Sequence, residues 1–460
     1  MQPEFEQLDI ALEGSLSGGA TEAEAFLQRE RELTVRVFNR RVEKYSSAET
    51  RGIGLRAFLG DRLGRAFTSD VSGEAIRGAV ASAVQSARVS PGDRDRGLPR
   101  PEQFPEGATE GRYLGEGMEL WGEDLGSVSA GEKIEFALEM EKLAREYDPR
   151  ITGVETATYS ESAGEVIIVN SRGFRAGYRS SVCYGYVVAI AEDGDGSQTG
   201  FGFTAGRSFS SLDAEAASEE AASMAVSLLG GRQVETARVP VLFDNLSTAE
   251  VVAMLAAAIS GEAVTKGRSF LAGRLDESVA AEAVTIVDDG LLKGGFGTAP
   301  FDDEGVAMLG KSVVEGGVLR TFLHNCYTAS RMGAESTGNA GRPSFRARVD
   351  VTPTNIYLEP GAASPDELRS GIQSGFEVLE LQGVHVGLNP VTGEVSVGAK
   401  GRWVEKGRAT HAVREVTVAG TMEEILGGII GIGNDIRFTP LLGGVGTPSI
   451  LVEGLVVSGK

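Results

Sequence analysis

The sequence predicts an α+β fold, with an N-terminal α/β layer of antiparallel strands and covering helices followed by a β-rich C-terminal domain with few helices. Two observations support this prediction. Glycine makes up 63 of the 460 residues, about twice the usual share, and it separates many short β-branched runs. A few longer segments between these runs place apolar residues at helical spacing. A chain of 460 residues is too long for one small core, so we expect two domains, 1–238 and 239–460.

The first 90 residues are predicted to form strands with a covering helix. Residues 21–31 predict a short helix, and Ser72 predicts the start of an amphipathic helix over 72–89. The pair Gly60-Asp61 predicts a hairpin turn between two strands. Strand-like runs cover 33–38, 42–47, 52–59 and 62–68. Strands followed by one covering helix are typical of an α+β layer.

The remainder of the N-terminal domain has a similar composition of elements. Residues 90–127 are rich in Pro, Gly and charge, so we expect a long irregular connection. Helical spacing predicts helices over 130–147 and 212–229. Four strand-like runs lie between them, within 151–203.

The C-terminal domain is predicted to be mostly strands joined by Gly-rich turns. One helix is predicted over 247–264, because Ser247 and Glu250 match a capping box at its start. After its cap this helix carries Ala, Val, Leu and Met, with Glu262 as its only further acid. A second helical pattern covers 422–430.

Charge and composition exclude several classes of partner. The net charge of −21 repels phosphate backbones, so we expect no nucleic acid partner. The longest apolar run, 251–259, is far shorter than the ~20 residues that span a bilayer, so we expect no membrane segment. The first residues lack the basic and apolar parts of a signal peptide. Two cysteines without a CxxC motif fit a reducing compartment, and we expect a cytoplasmic protein.

One segment matches the P-loop pattern, from Gly305 through Gly310-Lys311-Ser312. A working P-loop follows a strand and opens a helix, so that backbone amides surround phosphate. Here residues 313–319 predict a strand, a Gly-Gly turn and a second strand. The match is therefore interpreted as a buried strand and not as an ATP site.

His324 and Cys326 are two residues apart on a predicted strand, so their side chains would share a face. Such a pair could supply half of a metal site or a Cys–His nucleophile. The other histidines, His385 and His411, have no spacing that indicates convergence with them. A hydrogen-bonded histidine beside a buried cysteine is the favoured interpretation.

Two polar segments could bind an extended peptide through hydrogen bonds. The first is the Gly-punctuated loop 336–342, which follows Tyr327. The second is the strand after the turn at 389–393, where polar residues alternate with valines. A capped turn and a half-exposed strand would give the same patterns. The candidate substrate-channel residues are Asn325, Tyr327, Ser336, Thr337, Asn339, His385, Asn389, Glu394 and Ser396.

Several segments of the C-terminal half share a pattern with one protein family. They are 327–331, 336–340, 385–398, 403–407, 413–420, 432–435 and 448–454. With looser agreement at 52–57 and 68–70, the chain resembles the TldD/PmbA family, also called modulators of DNA gyrase. The resemblance covers nearly the whole chain and is specific in its C-terminal half.

The resemblance implies where the family's catalytic members hold zinc. Their His-Glu-x-x-x-His helix ends in a Lys-Gly pair that matches Lys266-Gly267, which places the motif near Val252, Ala253 and Ala257. Their third ligand, a cysteine, falls in the loop 439–446, which has no cysteine here. Alkyl groups cannot coordinate zinc. The chain therefore looks like the PmbA branch, also called TldE, which lacks the zinc motif.

The resemblance implies a non-catalytic subunit of a TldD/TldE-type metallopeptidase complex, with no metal or catalytic residue in this chain. Zinc would be bound by a TldD-like partner in a heterodimer, and the shared chamber would admit extended or unfolded peptides. One alternative is a homodimer that binds peptides or proteins without hydrolysis. Another is a peptidase with unrecognised chemistry that uses His324, Cys326 or His385.

Overall fold

The computed structural model describes residues 3–194, 196–440 and 443–459, and it has the α+β fold that the sequence predicts. Antiparallel pairing predominates, and the C-terminal half is rich in strands. The elements of the first half are α1 (Pro3–Ser17), β1 (Glu22–Phe38), β2 (Arg41–Leu59), β3 (Arg62–Thr68), α2 (Gly73–Val89), β4 (Arg112–Tyr113), α3 (Ala130–Glu146), β5 (Ile151–Asn170), β6 (Arg175–Glu192), β7 (Ser197–Gly206) and α4 (Ala214–Ser227).

These strands form one seven-stranded sheet. Its order is β3-β2-β1-β5-β6-β4, and β7 also pairs with β6, at residues 183–192, beyond the short pairing of β4 at residues 176–177. Helices α1 and α2 cover the end formed by β1, β2 and β3, while α3 and α4 cover the end formed by β5, β6 and β7. The helices and the sheet face beneath them bury two apolar clusters. The predicted layer of antiparallel strands with covering helices is thus confirmed.

The helix predicted over 21–31 is wrong, because these residues begin the long strand β1. This strand pairs with β2 on one side and with β5 on the other. Ala25 and Leu27 face the helices, and Glu24 is buried on the opposite face. A strand that is buried on both faces does not alternate between apolar and polar residues. Its Ala and Glu content also favours a helix, which pairing with two neighbours overrides.

Helix α2 confirms the prediction made from Ser72, whose hydroxyl accepts a hydrogen bond from the Ala75 amide at 3.4 Å. The helix lies so close to the hairpin of β2 and β3 that only glycine fits at position 64. A Cβ at Gly64 would lie 1.9 Å from the Ala83 carbonyl oxygen. The hairpin turns at residues 60–61, as predicted. Between 151 and 206 there are three long strands, not four, because β5 and β6 run on through their Gly-containing stretches.

The second half contains many short elements. They are β8 (Ala237–Phe243), α5 (Asn245–Ala258), α6 (Gly261–Thr265), β9 (Ile286–Asp289), β10 (Gly310–Glu315), β11 (Val318–Leu319), α7 (Cys326–Met332), β12 (Ala340–Gly341), β13 (Asp350–Val351), β14 (Asn355–Leu358), α8 (Pro365–Ser370), β15 (Ser374–Gln382), α9 (Val384–Gly387), β16 (Glu394–Glu405), β17 (Arg408–Thr421), α10 (Met422–Gly427), β18 (Ile429–Ile432), β19 (Arg437–Thr439), β20 (Gly444–Thr447) and β21 (Ile450–Ser458).

Two six-stranded sheets organise this half. One has the order β11-β10-β9-β14-β20-β19, and the other has the order β17-β16-β15-β8-β21-β18. A further pairing of β17 with β21 closes five strands of the second sheet into a ring. The P-loop match ends in β10, the turn Gly316-Gly317 and β11, which is the predicted strand, turn and strand. The division into two domains at residue 238 stays a prediction.

The helix predicted over 247–264 is shorter and is capped differently. It begins at Asn245, and the carboxylate of Asp244 accepts the Ser247 amide at 2.7 Å. The predicted capping box of Ser247 and Glu250 is therefore wrong, because an aspartate three residues earlier supplies an equally good cap. Helix α5 ends at Ala258, and Ser260 caps the separate short helix α6. No helix in the described part of the chain is long and apolar enough to cross a bilayer.

The prediction that His324 and Cys326 share a strand face is also wrong. Asn325 caps α7, with its side-chain oxygen accepting the Thr328 amide at 2.9 Å and the Thr328 hydroxyl accepting the Asn325 amide at 3.2 Å. Cys326 is therefore the first residue of a helix. Asn and Thr can form this reciprocal cap, so the local sequence is compatible with a helix start as well as with a strand.

Candidate functional site

Helix α5 lies between the two six-stranded sheets, where it contacts β8 and β15 on one side and β14 and β20 on the other. Val252 and Leu255 are fully buried among these strands. Ala253 is half-buried and Ala257 is exposed. Because residues four apart share a helix face, Glu250, Ala253 and Ala257 form one accessible strip, which we call the α5 face.

The α5 face presents one ionisable group, the carboxyl of Glu250. Burial and the nearby charges of Asp244 and Glu380 raise the pKa of Glu250 to about 7. One of its carboxyl oxygens is buried without a hydrogen-bond partner. Burial likewise raises the pKa of Asp244 to about 7, although its carboxylate accepts the Ser247 amide. A carboxyl with such a pKa is partly protonated near neutrality, and the protonated form binds a cation poorly.

The positions that the family resemblance assigns to the His-Glu-x-x-x-His motif carry no side chain that could bind a metal. Val252 is buried in the core, and Ala253 and Ala257 offer only methyl groups. The strands β19 and β20 flank the loop 439–446 and both contact α5, but residues 441 and 442 lie outside the described residues. In the described part of the chain, no three His, Cys, Asp or Glu side chains are grouped so that they could hold a metal ion. The donor set therefore does not match zinc chemistry.

His324 and Cys326 do not form a nucleophile pair. The Nδ1 atom of His324 lies 3.2 Å from the Thr328 hydroxyl, and burial lowers the His324 pKa to about 4. Burial and the carboxylates of Glu304 and Asp302 raise the pKa of the Cys326 thiol well above its usual value. A neutral imidazole and a protonated thiol in these positions are not an activated pair.

The loop after His324 is held by its own polar groups. The Thr337 hydroxyl accepts the His324 amide at 2.7 Å and lies 2.7 Å from the side-chain oxygen of Asn339. Asn339 donates to a carboxylate oxygen of Asp288 at 2.8 Å. Ser336 donates to the His324 carbonyl at 3.3 Å. The candidate residues Ser336, Thr337 and Asn339 thus shape the loop, and their role in a channel stays a prediction.

Asn325 and Tyr327 are brought together at the wall of a cleft between the N-terminal sheet and the C-terminal half. The cleft consists of two adjoining hollows of about 220 and 540 Å³. The Tyr327 hydroxyl accepts a hydrogen bond from Arg331 at 3.1 Å, and Arg96 lies over its ring at 5.8 Å. We call this space the arginine cleft; its lining includes Arg56, Arg65, Arg96, Lys266, Arg342, Arg346 and Arg348.

The remaining candidates lie together in a second place, at the turn before β16. His385, Asn389, Glu394 and Ser396 are all exposed. Asn389 accepts the Val391 amide at 3.0 Å and so shapes the turn. Glu394 and Ser396 alternate with buried valines, as predicted. The turn adjoins the region after α5 through a hydrogen bond from the Phe270 amide to the Pro390 carbonyl at 2.9 Å.

Sequence reasoning missed a buried ion-pair network at the floor of the cleft. Arg56 pairs with Glu24 and Glu304, each at 2.5 Å, and Arg342 pairs with Glu24 at 2.5 Å. Burial alone would raise the pKa of Glu24, but the charges of Arg342 and Arg56 outweigh it and hold that pKa below its usual value. The network joins β1 and β2 to the C-terminal half. Asp302 lies beside it, and burial together with the Glu304 charge raises the Asp302 pKa to about 8.

The comparison with known families matches three consecutive parts of the chain to one family. Residues 23–87 match domain 1, residues 123–229 the central domain and residues 236–459 the C-terminal domain of the PmbA/TldA metallopeptidases. Together with the fold and the α5 helix, these matches define the class: the chain belongs to the TldD/PmbA family.

Individual relatives point to the PmbA side of this family. A metalloprotease PmbA homolog from Haemophilus influenzae is 28% identical over 98% of this chain and 95% of its own length. The crystal structure of a protein described as a modulator of DNA gyrase, from Thermotoga maritima, is 29% identical with a TM-score of 0.88 and covers 100% of both chains. TldE from Thermococcus kodakarensis shares the fold, with a TM-score of 0.87 at 23% identity over 98% of this chain and 99% of its own.

Proposed function

We propose that this chain is the non-catalytic subunit of a cytoplasmic TldD/TldE-type metallopeptidase complex. The observation that carries the proposal is helix α5, where Val252, Ala253 and Ala257 stand at or beside the positions of the family's His-Glu-x-x-x-His motif. Val252, at or beside the first histidine position, is buried and unavailable to a metal. A TldD-like partner supplies the zinc ion and the hydrolytic chemistry in this proposal. This chain contributes walls of the chamber that receives extended or unfolded peptides.

The position of two candidate residues supports a role in binding peptide. Asn325 and Tyr327 both line the arginine cleft, whose two adjoining hollows have volumes of about 220 and 540 Å³. Tyrosine and asparagine side chains suit peptide recognition, because they offer hydrogen bonds and apolar area without requiring a particular charge. The exposed turn with His385 and Asn389 gives a second polar surface near the end of α5.

The test is co-expression with a TldD-like protein, followed by size analysis of the mixture and of each chain alone. We expect a stable complex that cleaves casein or a leader peptide, and no cleavage by this chain alone. Metal analysis should assign zinc to the partner. A matched control uses the partner with both zinc-binding histidines replaced by alanine, which should form the complex and lose cleavage.

Other outcomes would select the alternatives. A stable homodimer that binds peptides but ignores the TldD-like protein would favour the homodimeric binding role. Hydrolysis by the purified chain alone, abolished by C326A, would establish a peptidase with different chemistry. The raised pKa of the Cys326 thiol and the lowered pKa of His324 argue against that last outcome.

A further inference from the structure

The arginine cleft has a charge opposite to that of the whole molecule. Seven of its lining residues are Arg or Lys, and among the described residues only Glu262 and Glu304 are acidic lining residues. The chain as a whole has a net charge of −21. A concentration of cations at one place in an acidic protein requires counter-charges, because unbalanced like charges in a confined space destabilise the fold.

A row of charged side chains crosses three neighbouring strands at the floor of the cleft. Glu24 on β1 is in register with Arg56 on β2, and Arg56 is in register with Arg65 on β3. Residues in register point to the same face, and like charges directly opposite each other are destabilising. Two carboxylates, Glu24 and Glu304, balance Arg56, each at 2.5 Å.

Arg65 lacks such a balance. Within the part of the chain that the structure describes, Arg65 forms no ion pair, and its strongest charged neighbours are Arg96, Arg56 and Arg348. Partial burial and these three cations lower the pKa of Arg65. Its side chain is exposed to the cleft, so a ligand can reach it.

Arg348, one of the cations around Arg65, is only weakly paired. The closest contacts of Arg348 to carboxylates are 3.4 Å to Asp350 and 3.7 Å to Glu262, which are long for charge-assisted hydrogen bonds. Arg346 lies over the rings of Phe67 and Phe345, at 5.8 and 5.1 Å. Phe67 is 53% exposed. The cleft thus offers guanidinium groups and an aromatic surface side by side.

We infer that the arginine cleft binds a short acidic segment of an extended peptide, with Arg65 and Arg348 pairing its carboxylates. The choice of a peptide rests on the proposed chamber function. The two adjoining hollows, of about 220 and 540 Å³, have more room than a single small anion needs and suit several residues in an extended form. A long polynucleotide would extend over the acidic surface, whereas a short segment meets mainly charges within the Debye length of ~8 Å.

The experiment measures binding to the isolated full-length chain by fluorescence anisotropy. The probe is a labelled eight-residue peptide of alternating Glu and Gly with an amidated C-terminus. The matched control replaces each Glu by Lys. We expect the acidic peptide to bind and the basic peptide not to bind. Raising the salt concentration should weaken binding, because the contacts are ionic. A peptide with a free terminal carboxylate distinguishes side-chain carboxylates from the chain end.

The variants R65Q and R348Q should each weaken binding by roughly tenfold, because each removes a charge-assisted hydrogen bond. The control R41Q makes the same charge change on β2, outside the cleft, and should leave the affinity unchanged. Melting curves check that each variant remains folded. Equal binding of the two peptides, equal effects of R65Q and R41Q, or tighter binding of a single-stranded oligonucleotide would overturn the inference. These measurements need no partner chain, so their failure is distinct from failure to assemble with a TldD-like protein.

Discussion

The α5 face and the arginine cleft are two accessible surfaces of one chain with opposite chemistry. The α5 face has two methyl groups and a carboxyl group whose pKa is raised to about 7. The cleft has seven cationic side chains on a floor of buried ion pairs. Charged groups are thus concentrated in the cleft and nearly absent from the α5 face. This difference makes the cleft the place where ionic contacts with a ligand are available, and the two surfaces should respond differently to substitution.

The largest effect is expected from breaking the network beneath the cleft. The substitution R56M leaves Glu304 buried without its ion pair and removes one of the two cations beside Glu24. We expect a loss of ~3–5 kcal/mol in the free energy of unfolding, because an unpaired buried charge remains. Chemical unfolding monitored by circular dichroism measures this loss.

The matched control is R29M, which removes an arginine that pairs with Glu49 at 2.9 Å on the same sheet. Both side chains of that pair are about half exposed, so its loss should cost no more than ~1 kcal/mol. Similar costs for R56M and R29M would show that the network contributes little to stability and would weaken the contrast between the two regions.

A smaller effect is expected on α5, where the two sides of the helix should respond differently to histidine. The substitution V252H places an imidazole in the core and should cost ~1–3 kcal/mol, because its nitrogen atoms find no partner there. The substitution A257H lies on the α5 face and should change stability by less than ~0.5 kcal/mol. Equal costs would mean that Val252 can reach an open face, and would reopen the question of a metal site.

The sequence shows which residues stand on the α5 face, although the helix ends six residues earlier than predicted, and it does not show the cleft. The α+β class and α2 were likewise predictable, because local spacing and the cap at Ser72 determine them. The helix predicted over 21–31 was wrong because β1 pairs with two neighbouring strands and is buried on both faces, although its composition is that of a helix.

The cleft could not be predicted, because strand register and packing between distant segments build it. Arg56 and Arg65 become neighbours only through the pairing of β2 with β3, and Arg348 arrives from the other half of the chain. One local signal was available. Gly52 and Gly54 alternate with apolar residues, and Phe345 occupies the space that their side chains would fill. Two glycines on one face of β2 therefore indicated that another segment packs closely there, but they did not show that the segment is the one with Phe345.

A pH-dependent effect on stability should come from Glu250. Its pKa is raised to about 7 in the folded chain, so the folded state holds its proton more tightly than the unfolded state does. The free energy of unfolding therefore falls as pH rises from the ordinary glutamate range towards 7, and the full penalty is present at pH 8. The variant E250Q cannot ionise, so it should be more stable than the natural chain at pH 8, with the difference shrinking towards pH 5.

The control E219Q removes an exposed carboxylate on α4 and should show no such trend. Thermal unfolding of both variants at the two pH values measures the difference, and a gain for E250Q that is equal at both would place the Glu250 carboxyl in solvent.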